Sequence, residues 1–229
     1  MKTIAKRGRS ARIRAGLSWA VVVAALGLGL AAPVLHAAVG CDLNDPDRDV
    51  KRLFPGSTGY KTLYVSVSKK GGDDLLGKIE ARLGDKFTGL FETADVPYTM
   101  YEVYQGQELV GYIHGVNQKG TYGGLQVFLA LDLQGVIKAF YFQKLTSRAA
   151  KAFRDPAFGS QFVGLSLEDF YRYDVVSGRE EPAGPISRIK NPEPAAEKDF
   201  RAALRAAKKN LILADEFLLG NAHLKFFKG

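Results

Sequence analysis

"PYTMYEVYQGQELVGYIHGV" spans residues 97–116 and "GGLQVFLALDLQGVIKAFYFQKL" spans residues 123–145. Both are rich in Tyr, Phe, Val and Ile, the residues that suit a pleated, half-buried surface. Each is interrupted once by a turn pair, Gln105-Gly106 in the first and Gln134-Gly135 in the second. Each therefore reads as a β-hairpin. The run Val127 to Leu133 is almost wholly apolar, which marks a strand in the middle of a sheet rather than at its rim. Two hairpins side by side predict a twisted antiparallel sheet of four or five strands.

On the N-terminal side, Tyr60 to Ser68 alternates, with Leu63, Val65 and Val67 set against Thr62, Tyr64 and Ser66. That is a strand pattern. Gly71-Gly72 breaks it, and Asp73 is expected to cap a helix through Leu83 with Leu75, Leu76, Ile79 and Leu83 on one face. Pro46 suits the start of a short helix ending near Leu53. On the C-terminal side, Ala149, Ala152 and Phe153 have helical spacing that Asp155-Pro156 stops, and Ser166 to Tyr171 suits a short turn. Residues 179–197 read as a loop rich in Pro, Glu and Gly. Phe200, Leu204, Ala207, Leu211, Ala214 and Leu218 then recur at steps of three and four, a stripe expected to lie across the sheet. Glu197 and Asp199 suit the positive start of that helix, and Gly220 its end. The fold class that results is α+β: a twisted antiparallel sheet with flanking helices and a long C-terminal helix.

The first 14 residues carry Lys2, Lys6, Arg7, Arg9, Arg12 and Arg14 and no acid, and Leu17 to Leu35 carry no charge. This is a basic n-region followed by an apolar h-region. It is also long enough to span a membrane, which takes about 18 apolar residues. Ala38-Val39-Gly40 then places small residues before Cys41, the only cysteine. The stretch resembles a bacterial lipoprotein signal, in which the cysteine becomes the lipid-bearing N-terminus. Asp42 is similar to an inner-membrane retention signal. Three readings stay open: a lipid anchor through Cys41, an ordinary secretory cut nearby, and an uncleaved anchor. Each divides the chain into a leader, residues 1–40, and a domain, residues 41–229, that works in the periplasm or elsewhere outside the cytoplasm.

The formal charge of +8 comes mostly from those six leader residues; from Cys41 onward 26 basic residues face 24 acidic ones. That near balance offers no electrostatic footprint for nucleic acid. With no cysteine after Cys41 there is no disulfide, no haem-attachment motif and no thiolate metal site. His114 and His223, far apart in sequence, make no metal site. No Ser-His-Asp or Cys-His order is present, and Glu168, Asp169 and Asp174 form no acid–base pair, so hydrolysis is not expected.

The segment "ELVGYIHGVNQKGTYGGLQVFLALDLQGVIKAFYFQKL", residues 108–145, carries a strand ending in Gly-Tyr, a glycine-rich link, and Asp132, Gly135 and Ile137 in an Asp-x-x-Gly-x-Ile order. Together with Asp174-Val175-Val176-Ser177-Gly178 it resembles the FMN-binding domain of small flavoprotein subunits in membrane-bound, ion-pumping electron-transport complexes. The resemblance covers roughly Leu53 to Leu219. The family's Asp-x-x-Ser-Gly-Ala-Thr motif ends in a threonine esterified to FMN; here Glu180 holds that place. The family's Glu-Thr-Pro-Gly segment corresponds here to Leu145-Thr146-Ser147-Arg148. The resemblance implies an extracytoplasmic electron carrier tethered to the inner membrane, holding FMN non-covalently beside a membrane redox or transport complex. The residues it implies around FMN are Thr146, Ser147, Arg148, Asp174, Ser177, Gly178 and Arg188, with Arg179 and Lys190 as further cations. A second reading stands beside it: a module that has lost flavin and supports a membrane complex, through the "ISRIKNPEP" loop or the basic tail.

Overall fold

The computed structural model describes residues 40–89 and 91–228. The expected leader falls outside the described residues except for Gly40. The chain forms helix α1 (Pro46–Leu53), strand β1 (Gly59–Val65), helices α2 (Val67–Lys70) and α3 (Gly72–Leu83), and strands β2 (Tyr98–Gln105), β3 (Glu108–Lys119), β4 (Gly124–Leu131) and β5 (Ile137–Leu145). Then follow helices α4 (Ala150–Phe153), α5 (Pro156–Ser160) and α6 (Leu167–Phe170), the short strands β6 (Tyr173–Asp174) and β7 (Arg179–Glu180), and helix α7 (Glu197–Phe217).

Strands β1 to β5 form one antiparallel meander in chain order. The first hairpin turns at Gly106-Gln107, one residue later than the Gln105-Gly106 pair suggests, because Gly106 takes the positive φ of 62° that the tight turn requires. The second turn is held by Asp132, whose Oδ1 accepts from the backbone N–H groups of Gln134 (3.0 Å) and Val136 (2.9 Å). Gly135 there has φ 79°.

Strands β3 and β4 are buried on both faces, which accounts for their continuous apolar character. On one face Met100, Val116, Val127, Leu129 and Leu131 join a core that α3 and α7 cover. On the other, Tyr101, Val103, Ile113, Phe128 and Ala130 meet Cys41, Leu43, Val50, Leu53 and Phe54. The segment after the leader thus works as a second lid on the sheet. It is pinned there: Asn117 Nδ2 donates to Gly40 O at 2.8 Å, Leu43 N donates to the Tyr101 hydroxyl at 3.0 Å, and Cys41 bridges Tyr98. Phe128 lies over Gly115, its partner across the β3–β4 ladder.

Two expected boundaries shift. The strand predicted to Ser68 stops at Val65, because Ser66 instead caps α2 by accepting from Lys69 N. Helix α3 starts at Gly72 with Gly71 as its cap, leaving Asp73 and Asp74 in the first turn, where the helix dipole favours them. Asp155 both ends one short helix and caps the next, accepting from Ala157 N at 2.8 Å. The 179–197 loop is more ordered than its composition suggests: β7 pairs with β6, and one-turn 3-10 segments occupy Ile186–Arg188 and Pro194–Ala196.

The predicted stripe of α7 does face the core, with Leu204, Ala207, Leu211 and Ala214 buried. The helix is nevertheless enclosed far beyond that stripe. Arg205, Lys208, Lys209, Asn210 and Asp215 are also buried, and each needs a partner for that to be tolerable.

Candidate functional site

Those partners come from elements distant in the chain. Glu92 accepts from Arg205 Nη1 at 2.5 Å and from Lys209 Nζ at 2.6 Å. Lys209 Nζ also donates to Asn117 O at 2.6 Å, and Arg205 Nε donates to Asp85 at 2.9 Å. Burial pushes the Glu92 carboxyl up, but the Lys209 and Arg205 charges outweigh it and hold it below the usual range. Burial pulls the Lys209 ammonium down to about 8, against the opposing pull of Glu92. Further along, His114 Nδ1 donates to Asn210 Oδ1 at 3.0 Å, and burial holds its ring down to about 4. At the far end Arg82 pairs with Asp215, which also receives His223 Nδ1 at 3.2 Å. This seam fixes the long axis and rotation of α7 on the sheet, and so places the first turn of α7.

Two clefts flank that first turn. The first, of about 480 Å³, lies between the end of β5 and the start of α7. Ser147 Oγ donates to Asp199 Oδ2 at 2.5 Å, and Thr121 N donates to Asp199 Oδ1 at 2.7 Å. Burial raises the Asp199 carboxyl, but these two donors prevail and keep it low, so Asp199 ties the 120–123 and 146–149 loops to α7 as a carboxylate. Arg148 is exposed and lies over the half-exposed ring of Tyr122, 4.7 Å from its centroid. Its guanidinium makes no ion pair with any described carboxylate. Helix α7 is entered from the 3-10 turn Pro194–Ala196, whose start Glu193 caps by accepting from Ala195 N at 3.4 Å, while the start of α7 itself carries no side-chain cap; the Glu193 carboxylate also lines this cleft. The volume lies in the range of small-molecule sites.

The second cleft, of about 560 Å³, lies on the other side of the same turn, between the end of β3, the β6–β7 hairpin and α7. Lys119, Lys198, Arg201 and Arg205 line it, and Lys198 borders both clefts.

The structure brings Ser147 and Arg148 together in the first cleft. Thr146 stands just behind them, its methyl against Gly123. Asp174, Ser177 and Gly178 lie apart from these, in the β6–β7 turn beside the second cleft. That turn is closed on itself: Asp174 Oδ1 accepts from Val176 N at 2.8 Å, and Gly178 N donates to Asp174 O at 2.8 Å. The Ser177 hydrogen bond, more than any charge, holds the Asp174 carboxyl low. Arg201 donates to Val176 O and rests on Gly178, where a Cβ would lie 2.5 Å from its Nε. Arg188 is exposed and lines neither cleft. Sequence reasoning missed Tyr122, Lys198, Asp199 and Arg201 as site residues. The signal for two of them was available in the spacing of Lys198, Arg201 and Arg205, which puts three cations on one helix face.

A covalently held flavin does not fit at Glu180. Its carboxylate is buried, with Oε2 accepting from Gly184 N at 2.9 Å and Ser187 N at 2.7 Å, so the chain's own acid occupies the backbone donors there. A non-covalent flavin does fit the chemistry of the first cleft: free cations for a phosphate, an uncapped helix start, and an exposed aromatic face for a flat ring. Among the described residues no group of three or more His, Cys, Asp or Glu side chains is placed to hold a metal ion, and no helix is long and apolar enough to cross a membrane. Cys41 is 1% exposed, and burial pushes its thiol well above the ordinary range.

No protein-family model matches the chain, and no curated protein matches it. Among solved structures the chain is similar to NqrC of Shewanella oneidensis, with 14% identity and a TM-score of 0.45 over 73% of this chain and 82% of that one.

Proposed function

We propose that this chain is an extracytoplasmic electron carrier that works at the membrane and holds FMN non-covalently in the cleft between β5 and the start of α7. The observation that carries the reading is Arg148, an unpaired guanidinium stacked on the exposed Tyr122 ring at the mouth of a cleft beneath an uncapped helix start. Arg148 and Lys198 supply positive charge for the phosphate, and Tyr122 supplies a face for the ring. Asp199, through Ser147 and Thr121, holds both loops in place. Bound FMN would supply one- and two-electron transfer, while the chain supplies position and electrostatics.

A purified sample that absorbs near 450 nm, or acquires that band with added FMN, and loses it on denaturation is the expected result. Colour that stays with the unfolded chain contradicts the non-covalent assignment. A colourless protein that takes up no FMN ends the carrier reading.

A second reading is favoured by the Glu180 and Arg201 contacts. The turn that resembles a flavin-attachment motif has its glycine covered by Arg201, and Glu180, at the attachment place, holds the backbone donors of Gly184 and Ser187. A module that has given up flavin would serve a membrane complex through residues 186–194 or the tail around Lys225 and Lys228.

Under either reading the basic and apolar leader pattern supports a domain outside the cytoplasm. Lipidation at Cys41 requires Cys41 to leave the second core, since its thiol is buried there. The mass of the membrane-extracted chain decides between a lipidated Cys41, a simple cut and an intact leader.

A further inference from the structure

We infer that a third cleft, along the outer edge of β5, is a docking site for an extended, acidic peptide segment of a partner protein. Strand β5 is the last in the sheet order, so its outer edge pairs with no other strand of the sheet. A cleft of about 380 Å³ runs round that edge. Arg52 and Tyr141 border it on the face that α1 covers, and Phe142 and Phe153 border it on the other. Three cations reach it from three separate elements: Arg52 from α1, Lys138 from β5, and Arg154 from the turn between α4 and α5. Arg154 is held by neutral groups, with Nη1 donating to Phe142 O at 2.8 Å and Nη2 to Gln143 O at 3.4 Å. Its guanidinium is thus fixed in place while its charge is not cancelled. Lys138 is exposed, and neither it nor Arg154 forms an ion pair with a described residue. Arg52 lies over the Tyr141 ring, 3.8 Å from its centroid, and shares the Asp49 carboxylate with Arg48. Among the described residues the one carboxylate lining the cleft, Asp155, is turned to the backbone, capping α5 through Ala157 N at 2.8 Å.

The spacing of these charges sets the occupant. Lys138 and Phe142, the residue whose carbonyl holds Arg154, are four positions apart on one strand, a rise of about 13 Å. That span is wider than one small carboxylate. It matches an extended segment with acidic residues four positions apart, which lie on one side of the segment over the same distance. The edge itself does not offer a full ladder. A Cβ on Gly159 would lie 3.0 Å from Phe140 O, so α5 already sits on that carbonyl, and Arg154 occupies Phe142 O. Binding therefore runs through side chains, as charge-assisted hydrogen bonds to Arg154, Arg52 and Lys138. The exposed Val163 side chain and the half-buried Phe140 and Tyr141 rings lie beside them. The site is independent of the flavin reading, because none of its residues lines the first cleft.

The test uses the full chain in phosphatidylcholine bicelles and fluorescence anisotropy. The probe is a fluorescein-labelled peptide of alternating glutamate and valine; its control carries glutamine in place of glutamate. Saturable binding of the acidic probe, weakened by salt and absent with the control, is the expected result. Lys138→Glu, at an exposed position, is expected to weaken it about tenfold, the loss of one charge-assisted contact. Lys78→Glu, at an exposed position on α3, is expected to leave it unchanged, which separates the cleft from net charge. Equal binding of the two probes overturns the inference, as does an equal loss in the two variants. So does binding that Lys138→Glu leaves intact while circular dichroism reports a folded variant. Displacement of the probe by an equal concentration of benzoate marks a small-molecule pocket and overturns the peptide assignment too.

Discussion

Replacing Glu92 by Gln removes the one carboxylate that Lys209 and Arg205 share. Lys209 is fully buried and Arg205 nearly so, and Glu92 itself is 4% exposed. Breaking a buried ion pair on one side costs about 3–5 kcal/mol, because the surviving charge is left uncompensated. Arg205 keeps Asp85 and the Gln118 carbonyl, whereas Lys209 keeps only Asn117 O. The loss therefore falls mainly on Lys209. For a domain of this size 1 kcal/mol moves Tm by roughly 2–4 °C, so a drop of about 6–20 °C is expected at neutral pH. The pH dependence is diagnostic. Lys209 titrates in the folded protein at about 8, below the ordinary lysine value. A base depressed in the fold withdraws stability as pH falls from its unfolded pKa to its folded one. Without Glu92 the folded value falls further, so the window over which stability is lost extends below pH 8. The penalty of Glu92→Gln should thus be larger at pH 7 than at pH 10. Urea unfolding followed by far-ultraviolet circular dichroism at the two pH values measures it, and the double variant Glu92→Gln, Lys209→Met should recover much of the loss. A single variant within about 1 kcal/mol of the parent at pH 7 would refute the reasoning, since the cited cost of an orphaned buried charge is several times that.

Gly115→Val should destabilise by about 1–3 kcal/mol through overpacking, because a Cβ there would meet the Phe128 ring at 2.3 Å; urea midpoints measure it, and an unchanged midpoint would mean the ring moves freely. His114 is neutral in the fold down to about pH 4, so stability present above pH 6.5 should be lost as pH falls towards 4, by on the order of 3 kcal/mol. His114→Gln should flatten that acid limb in a pH series of unfolding curves, whatever its cost at neutral pH. Arg148→Ala should weaken FMN binding about tenfold or more by fluorescence titration while leaving Tm within about 1 °C, since the side chain is exposed and takes part in no described ion pair.

The sheet was legible because its information is local. Alternation through Leu63 and Val65, the glycines at 106 and 135, and the apolar run from Val127 each act within a few residues, and they give the strands and the two hairpins, while the order of the whole sheet came with the tertiary structure. The core stripe of α7 was legible for the same reason, since steps of three and four report one helical face. What the local pattern hides is the company each residue keeps. Nothing in the local pattern marks Lys209 and Arg205 as buried, yet they are buried because Glu92, 113 residues before Arg205, supplies the carboxylate that makes burial tolerable. The segment from Cys41 to Phe54 reads as a short helix from Pro46 after the leader, yet it covers the second face of the sheet, whose apolar residues need a cover that no local rule assigns. The site divides in the same way. Sequence alone put Ser147 and Arg148 next to each other, but only the packing of α7 set them beside Tyr122 and Asp199 and left Asp174 to Gly178 on the opposite side of the turn. Secondary structure follows from short-range sterics and periodicity. Clefts and buried charges follow from contacts between residues far apart in the chain, and those exist only once the chain has folded.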